Sequence, residues 1–124
     1  MSAVGARAFH RFLDTKPSLK KVFLPLAEKY KNLAGYRQKG LLTDDLISEE
    51  NDVVQKALKR LPPKVAYDRV YRLRRAMQLS LTHQILPPSE QIKPEQDIPY
   101  LRPYIEEIED EIAERTKLEM LTKA

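Results

Sequence analysis

The sequence predicts an all-α fold of about four helices, with a long proline-rich connector ahead of the last one, and three observations carry that prediction. Apolar residues recur at spacings of three and four in several segments, no stretch alternates apolar and polar residues as a strand would, and five of the nine prolines fall between Leu86 and Pro103. Length adds a bound, because 124 residues supply one modest core and not two. Within that single domain (1–124) the chain divides into a basic N-terminal arm over 1–13, a helical body over 14–86, a strap over 87–103 and an acidic C-terminal helix over 104–124.

Each element has its own signature. Met1 to Phe12 holds Arg7, His10 and Arg11 with no acid before Asp14, and reads either as a short import-type segment or as a flexible basic terminus. From Ser18 onward, Leu19, Val22, Phe23, Leu26, Ala27, Tyr30 and Leu33 form one face of an amphipathic helix. Pro17 suits its first turn, Pro25 predicts a kink or break, and Ala34 and Gly35 end it. Leu41 to Asp52 carries five acids, Asp44, Asp45, Glu49, Glu50 and Asp52, which read as helix caps and solvated groups. Ser48 or Asn51 is placed to cap a helix containing Val53, Val54, Ala57, Leu58 and Leu61, with acids at its start and Lys56, Lys59 and Arg60 near its end, as the macrodipole favours.

Pro62 and Pro63 stop that helix and open the next, predicted over about Pro63 to His83. Ala66, Val70, Leu73, Met77 and Leu81, with Tyr67 and Tyr71 beside them, make its apolar stripe, and Lys64, Arg69, Arg72, Arg74 and Arg75 crowd the other faces. Asp68 stands four residues before Arg72, where the two can pair. After the strap, Leu101, Tyr104, Ile105, Ile108 and Ile112, continued by Leu118 and Leu121, predict a last helix whose outer face is Glu106, Glu107, Glu109, Asp110, Glu111 and Glu114.

Several chemistries lose their residues at this stage. There is no cysteine, so disulfides, thiolate nucleophiles and iron–sulfur clusters are excluded. His10 and His83 are the only histidines and sit in no ligand spacing, and three scattered glycines cannot build a phosphate-cradling loop. Adjacent acids on polar segments are ordinarily solvated, so no catalytic pair, no metal and no cofactor is expected, and no apolar run is long enough to span a membrane. The charge is uneven: residues 1–83 hold seventeen Lys and Arg against eight Asp and Glu, whereas residues 84–124 hold five against ten. A basic front and an acidic tail suit a nucleic-acid binder, a protein docked on an anionic membrane surface, or a subunit wedged between oppositely charged neighbours.

A set of short words in fixed order narrows the choice. Leu33-Ala34-Gly35-Tyr36, Gly40-Leu41, Asp44-Asp45-Leu46-Ile47, Glu49-Glu50-Asn51 and Ala57-Leu58-Lys59-Arg60-Leu61-Pro62 come first. Asp68-Arg69, Arg72, Arg75-Ala76, Leu81-Thr82-His83-Gln84-Ile85-Leu86-Pro87, Pro99-Tyr100-Leu101 and Pro103-Tyr104-Ile105 follow. From Leu33 to Ile105 the chain resembles the small matrix-side subunit family of mitochondrial ubiquinol:cytochrome c reductase, respiratory complex III, also called ubiquinone-binding protein. It departs from that family at Ile92, where a tryptophan is usual. The resemblance implies an accessory, haem-free and metal-free subunit, peripheral on the matrix face of the mitochondrial inner membrane. Such a subunit touches cytochrome b and the core proteins and is needed for assembly and stability, not for redox chemistry.

The resemblance also implies roles for named residues. Arg69, Arg72 and Arg75 follow one another by three. They read either as a solvated helix face or as a contact with acidic groups of a partner subunit or an anionic lipid such as cardiolipin, which the arginine fork grips with two hydrogen bonds. Arg7 and Arg11 would anchor an arm threaded into a core protein. Glu49 or Glu50 would help deliver protons toward the site of quinone reduction, if they face it. Tyr67, Tyr71, Tyr100 and Tyr104 read as core or interface residues and not as a quinone box. The rival class is a small basic RNA-binding or ribosomal protein using the helix from Lys64 to Arg75, and a third is a free peripheral membrane protein, for which a long interfacial apolar face is lacking.

Overall fold

Proline and asparagine set the helix ends much as the sequence foretells. The computed structural model describes Phe12 and residues 15–123. Among the described residues it holds helices α1 (Pro17–Leu33), α2 (Asp52–Arg60), α3 (Pro63–Leu81) and α4 (Arg102–Lys123), three short 3₁₀ turns at Arg37–Lys39, Thr43–Leu46 and Pro94–Gln96, and no strand. The fold is all-α. The arm residues Arg7 and Arg11 lie outside the described residues.

Helix α1 corrects one expectation, since it runs through Pro25 without a break. Proline leaves the Lys21 carbonyl without its helical donor, yet no residue of α1 is buried, so water can satisfy that carbonyl. Asn51 caps α2 by accepting from the Val53 N–H at 2.9 Å, and Pro63 occupies the first turn of α3. Helix α3 ends two residues earlier than predicted, at Leu81, because His83 adopts φ 54° and closes a Schellman motif in which the Gln84 N–H donates to the Leu79 carbonyl at 2.9 Å.

The hydrophobic core lies between α2 and the first half of α4. Val54, Ala57 and Leu61 meet Leu101, Ile105 and Ile108, each set recurring every three to four residues on its own helix. Beyond that contact the residues of α4 from Glu111 to Thr122 are all exposed, Ile112, Leu118 and Leu121 among them. The strap is laced to the loop after α1, with the Leu86 N–H donating to the Gln38 carbonyl at 3.0 Å and the Ile92 N–H to the Arg37 carbonyl at 3.2 Å.

Gly40 sits where loop, strap and α3 converge. Its φ is +74°, and a Cβ there would stand 2.3 Å from Arg75 Nη2 and 2.9 Å from Leu86 Cδ1. A Gly40→Ala variant is therefore expected to lose about 2 kcal/mol, from left-handed backbone strain plus crowding, and to melt about 8 °C lower. Calorimetry checks this, and a melting temperature within about one degree of the parent would refute the convergence as a stability determinant.

Candidate functional site

Of the five acids that the sequence reads as helix caps and solvated groups, Glu49, Glu50 and Asp52 are exposed, but Asp44 and Asp45 are buried. Asp44, at 0% exposure, and Asp45 lie on the 3₁₀ turn Thr43–Leu46, which aims them into the gap between α3 and the start of α4. Asp44 Oδ2 accepts the Leu101 and Arg102 N–H groups at 2.9 and 3.0 Å. It thus caps α4, a helix more than fifty residues away in sequence, and its charge stands at the positive end of that helix dipole.

Asp45 is the centre of a larger cluster. Arg72 grips it with a fork, Nε to Oδ2 at 2.7 Å and Nη2 to Oδ1 at 2.9 Å, while Tyr100 donates its hydroxyl to Oδ1 at 2.5 Å and the Leu42 N–H donates to Oδ2 at 3.0 Å. Arg69, 3% exposed, donates to the Tyr100 hydroxyl at 2.8 Å, to the Asp44 carbonyl at 3.2 Å and to Glu49 Oε1 at 2.8 and 3.2 Å. Burial alone would raise the Asp45 carboxyl, but the donors from Arg72, Tyr100 and Leu42 outweigh it and hold the group below the ordinary aspartate value. Burial and the neighbouring Asp45 charge push the Tyr100 hydroxyl up to about 12, so it stays a donor at any physiological pH.

A second carboxylate, which the sequence reading missed, ties down the strap. Asp97 accepts from Arg37 Nε and Nη2 at 3.0 and 2.9 Å, from the Tyr36 hydroxyl at 2.6 Å, and from both the N–H and the hydroxyl of Thr43 at 2.7 Å. Burial opposes ionisation here too, yet the donors from Tyr36, Thr43 and Arg37 bring the carboxyl down to about 2. The only available sequence signal was one of three acids, Glu90, Glu95 and Asp97, inside a proline-rich segment, with its partners some sixty positions away.

The residues singled out from sequence are thus brought together differently than expected. Arg69 and Arg72 point into the molecule, and their guanidinium groups are committed to Glu49, Asp45 and Tyr100, so neither forms a solvated face or an outward contact in the folded chain. Arg72 pairs with Asp45 and not with Asp68, because a buried carboxylate needs a cation more than an exposed helix-surface acid does. Glu49 is held by Arg69, and Glu50 is exposed on the adjoining turn, its N–H 3.5 Å from Ser48 Oγ. Arg75 differs from the other two: its guanidinium lies 5.4 Å from the Tyr71 ring, and its buried Nε has no hydrogen-bond partner among the described residues.

Turning two arginines inward turns the predicted apolar stripe outward. Val65, Ala66, Leu73, Ala76 and Leu79 are wholly or partly shielded, whereas Tyr67, Val70, Tyr71, Met77 and Leu81 are exposed along α3. Chemically, the arrangement is a saturated hub of ion pairs that joins loop, strap, α3 and α4, backed by an apolar outer face. Among the described residues no group of three or more acids and histidines is placed to hold a metal ion, and no helix is long and apolar enough to cross a membrane.

Comparison with known proteins converges on one family. Cytochrome b-c1 complex subunit 7 of Neurospora crassa is 57% identical over 103 residues, covering 83% of this chain and 84% of that protein. The mitochondrial subunit 7 of Saccharomyces cerevisiae is 50% identical over 108 residues, 87% of this chain and 85% of the relative, and that of Pongo abelii is 45% identical over 86 residues, 69% and 77%. Arg69 and Arg72 being occupied by carboxylates, the RNA-binding alternative finds no support in the structure or in these relatives. Residues 17–116 match the family of the ubiquinol-cytochrome C reductase complex 14kD subunit, and the chain belongs to that family as an accessory subunit of complex III.

Proposed function

We propose that the chain is a non-catalytic clamp of the complex, held on the matrix face of the mitochondrial inner membrane by cytochrome b and the core proteins, which receive the outer face of α3. The observation that carries this reading is the exposed row of Tyr67, Val70, Tyr71, Met77 and Leu81 on a helix whose inner side is charged. Tyrosine, methionine and arginine are the residues enriched at the centres of protein interfaces, and Arg74 and Arg75 stand within and beside the row. The hub supports the non-catalytic part of the reading, because its acids and arginines are spent on one another and hold elements together. The name of the Saccharomyces cerevisiae relative supports a mitochondrial site of action.

The test is retention in the complex. A Tyr71→Ala variant is expected to melt like the parent, since that ring is more than half exposed, while its recovery with cytochrome b on native gels falls roughly tenfold or more, as for an interface hot spot. Parental recovery of the variant would remove α3 as the docking face.

A further inference from the structure

The other exposed helix has a different chemistry and points to a different partner. None of the seventeen residues of α1 is buried, and Leu19, Val22, Leu26, Tyr30 and Leu33 follow one line along it, with Leu33 89% exposed. Residues 16–33 carry Lys16, Lys20, Lys21, Lys29 and Lys31 against the single acid Glu28, which already lies 3.3 Å from Lys31 and 3.6 Å from Arg37. At about 100° per residue, Lys29 borders one edge of the apolar line, Lys16 and Lys20 border the other, and Lys21 and Lys31 lie behind. Along one edge of that line a groove of about 570 Å³, lined by Phe23, Leu26, Ala27, Tyr30, Tyr36 and Leu46 among others, opens between α1 and the body.

We propose that α1 lies along the surface of an anionic lipid bilayer, its apolar line sunk to the boundary between headgroups and acyl chains and its lysines on the phosphates. Three features favour lipid over a protein groove. The bases here are all lysine, a residue depleted at protein interfaces, whereas the buried pairs of the same chain use arginine. Lysine stems can lie along apolar surface while their ammonium groups reach the phosphate layer. The apolar line also has no charge within it, unlike the α3 face, where Arg74 stands in the middle and would have to be carried below the headgroups. The long interfacial face judged missing from the sequence is therefore present in α1. This inference stands on α1 alone and is independent of what covers α3.

Flotation of the purified full chain with vesicles tests it. Binding to vesicles of phosphatidylcholine containing phosphatidylglycerol is expected to be at least about tenfold tighter than to phosphatidylcholine alone and to weaken as salt rises. Leu26→Glu and Leu33→Glu alter residues exposed in the fold, so both variants should melt like the parent and lose at least about tenfold in binding to the anionic vesicles. Tyr71→Ala should float like the parent, which separates this inference from the docking of α3. Absence of flotation with the anionic vesicles, equal flotation with both compositions, or undiminished flotation of both glutamate variants would overturn it, the last by showing attraction through charge alone.

Discussion

An Asp45→Asn variant is expected to lose about 3 to 5 kcal/mol of stability, the cost of breaking a buried ion pair from one side. Asparagine keeps the size of the side chain and one acceptor oxygen, but it leaves the Arg72 fork without its countercharge and the Tyr100 hydroxyl against a weaker acceptor. Domains of this size are stable by roughly 5–15 kcal/mol, so the variant should stand close to unfolding at body temperature. Glu49→Gln is the matched control. That carboxylate also meets an arginine, but its side chain is 54% exposed, and its loss should cost under about 1 kcal/mol. Urea unfolding of the two proteins decides the matter, and equal losses would mean that the hub has no special weight. Substitutions at Arg69 or Arg72 should likewise deplete the assembled complex by unfolding the subunit, with no contact to a neighbour involved.

Asp97→Ala is expected to cost about 3 kcal/mol, because it leaves the Arg37 guanidinium, the Tyr36 hydroxyl and two donors of Thr43 facing a cavity. The parent protein should reveal the same contact through pH. Its Asp97 carboxyl is depressed from 3.8 to about 2, so the charged form stabilises the fold fully above pH 4, and that stabilisation is lost as pH falls toward 2. The side chain is 2% exposed, so solvent screens it little, and the shift corresponds to about 2 kcal/mol. Stability measured at steps across this window should fall less steeply in Asp97→Ala than in the parent. Parallel curves would show that another group drives the acid transition.

Helices were legible because their signals are local. Asn51, the Pro62-Pro63 pair and the spacing of Val54, Ala57 and Leu61 act over a turn or two, and each did in the fold what its chemistry suggests. The orientation of α3 was not local. Its apolar and arginine-rich faces were plain, but which one turns inward depends on Asp44 and Asp45, placed there by a 3₁₀ turn more than twenty positions upstream. Once those carboxylates are buried, cations must follow them inside, and the tyrosines are left outside. Patterning rules assume that the core takes the apolar side, and a helix that leaves Tyr67, Val70, Tyr71, Met77 and Leu81 exposed breaks that assumption. Arg69 and Arg72 follow those carboxylates inside, whereas Arg75 has no acid of the hub beside it, and its buried Nε is without a partner among the described residues. Asp97 was illegible for another reason, since nothing in a proline-rich stretch announces partners around sixty residues earlier.

The separations spanned by the two clasps set an order of events for the growing chain. The Asp44 cap on α4 bridges 57 positions and the Tyr36 to Asp97 contact 61, so each closes a loop of nearly half the sequence, at an entropic cost of about 3.5 kcal/mol per closure. The pairing of Asp45 with Arg72 bridges only 27 and can form first. Helix α3 can therefore dock on the turn that carries Asp45 while Asp44 still waits, and α2, whose core partners are Leu101, Ile105 and Ile108, is covered only when the last quarter of the chain shuts the fold in one late step. A nascent chain halted before Asp97 has three of its helices and neither of its long-range clasps, which makes it a readily cleaved species and marks only the finished chain as fit to be received by its neighbours.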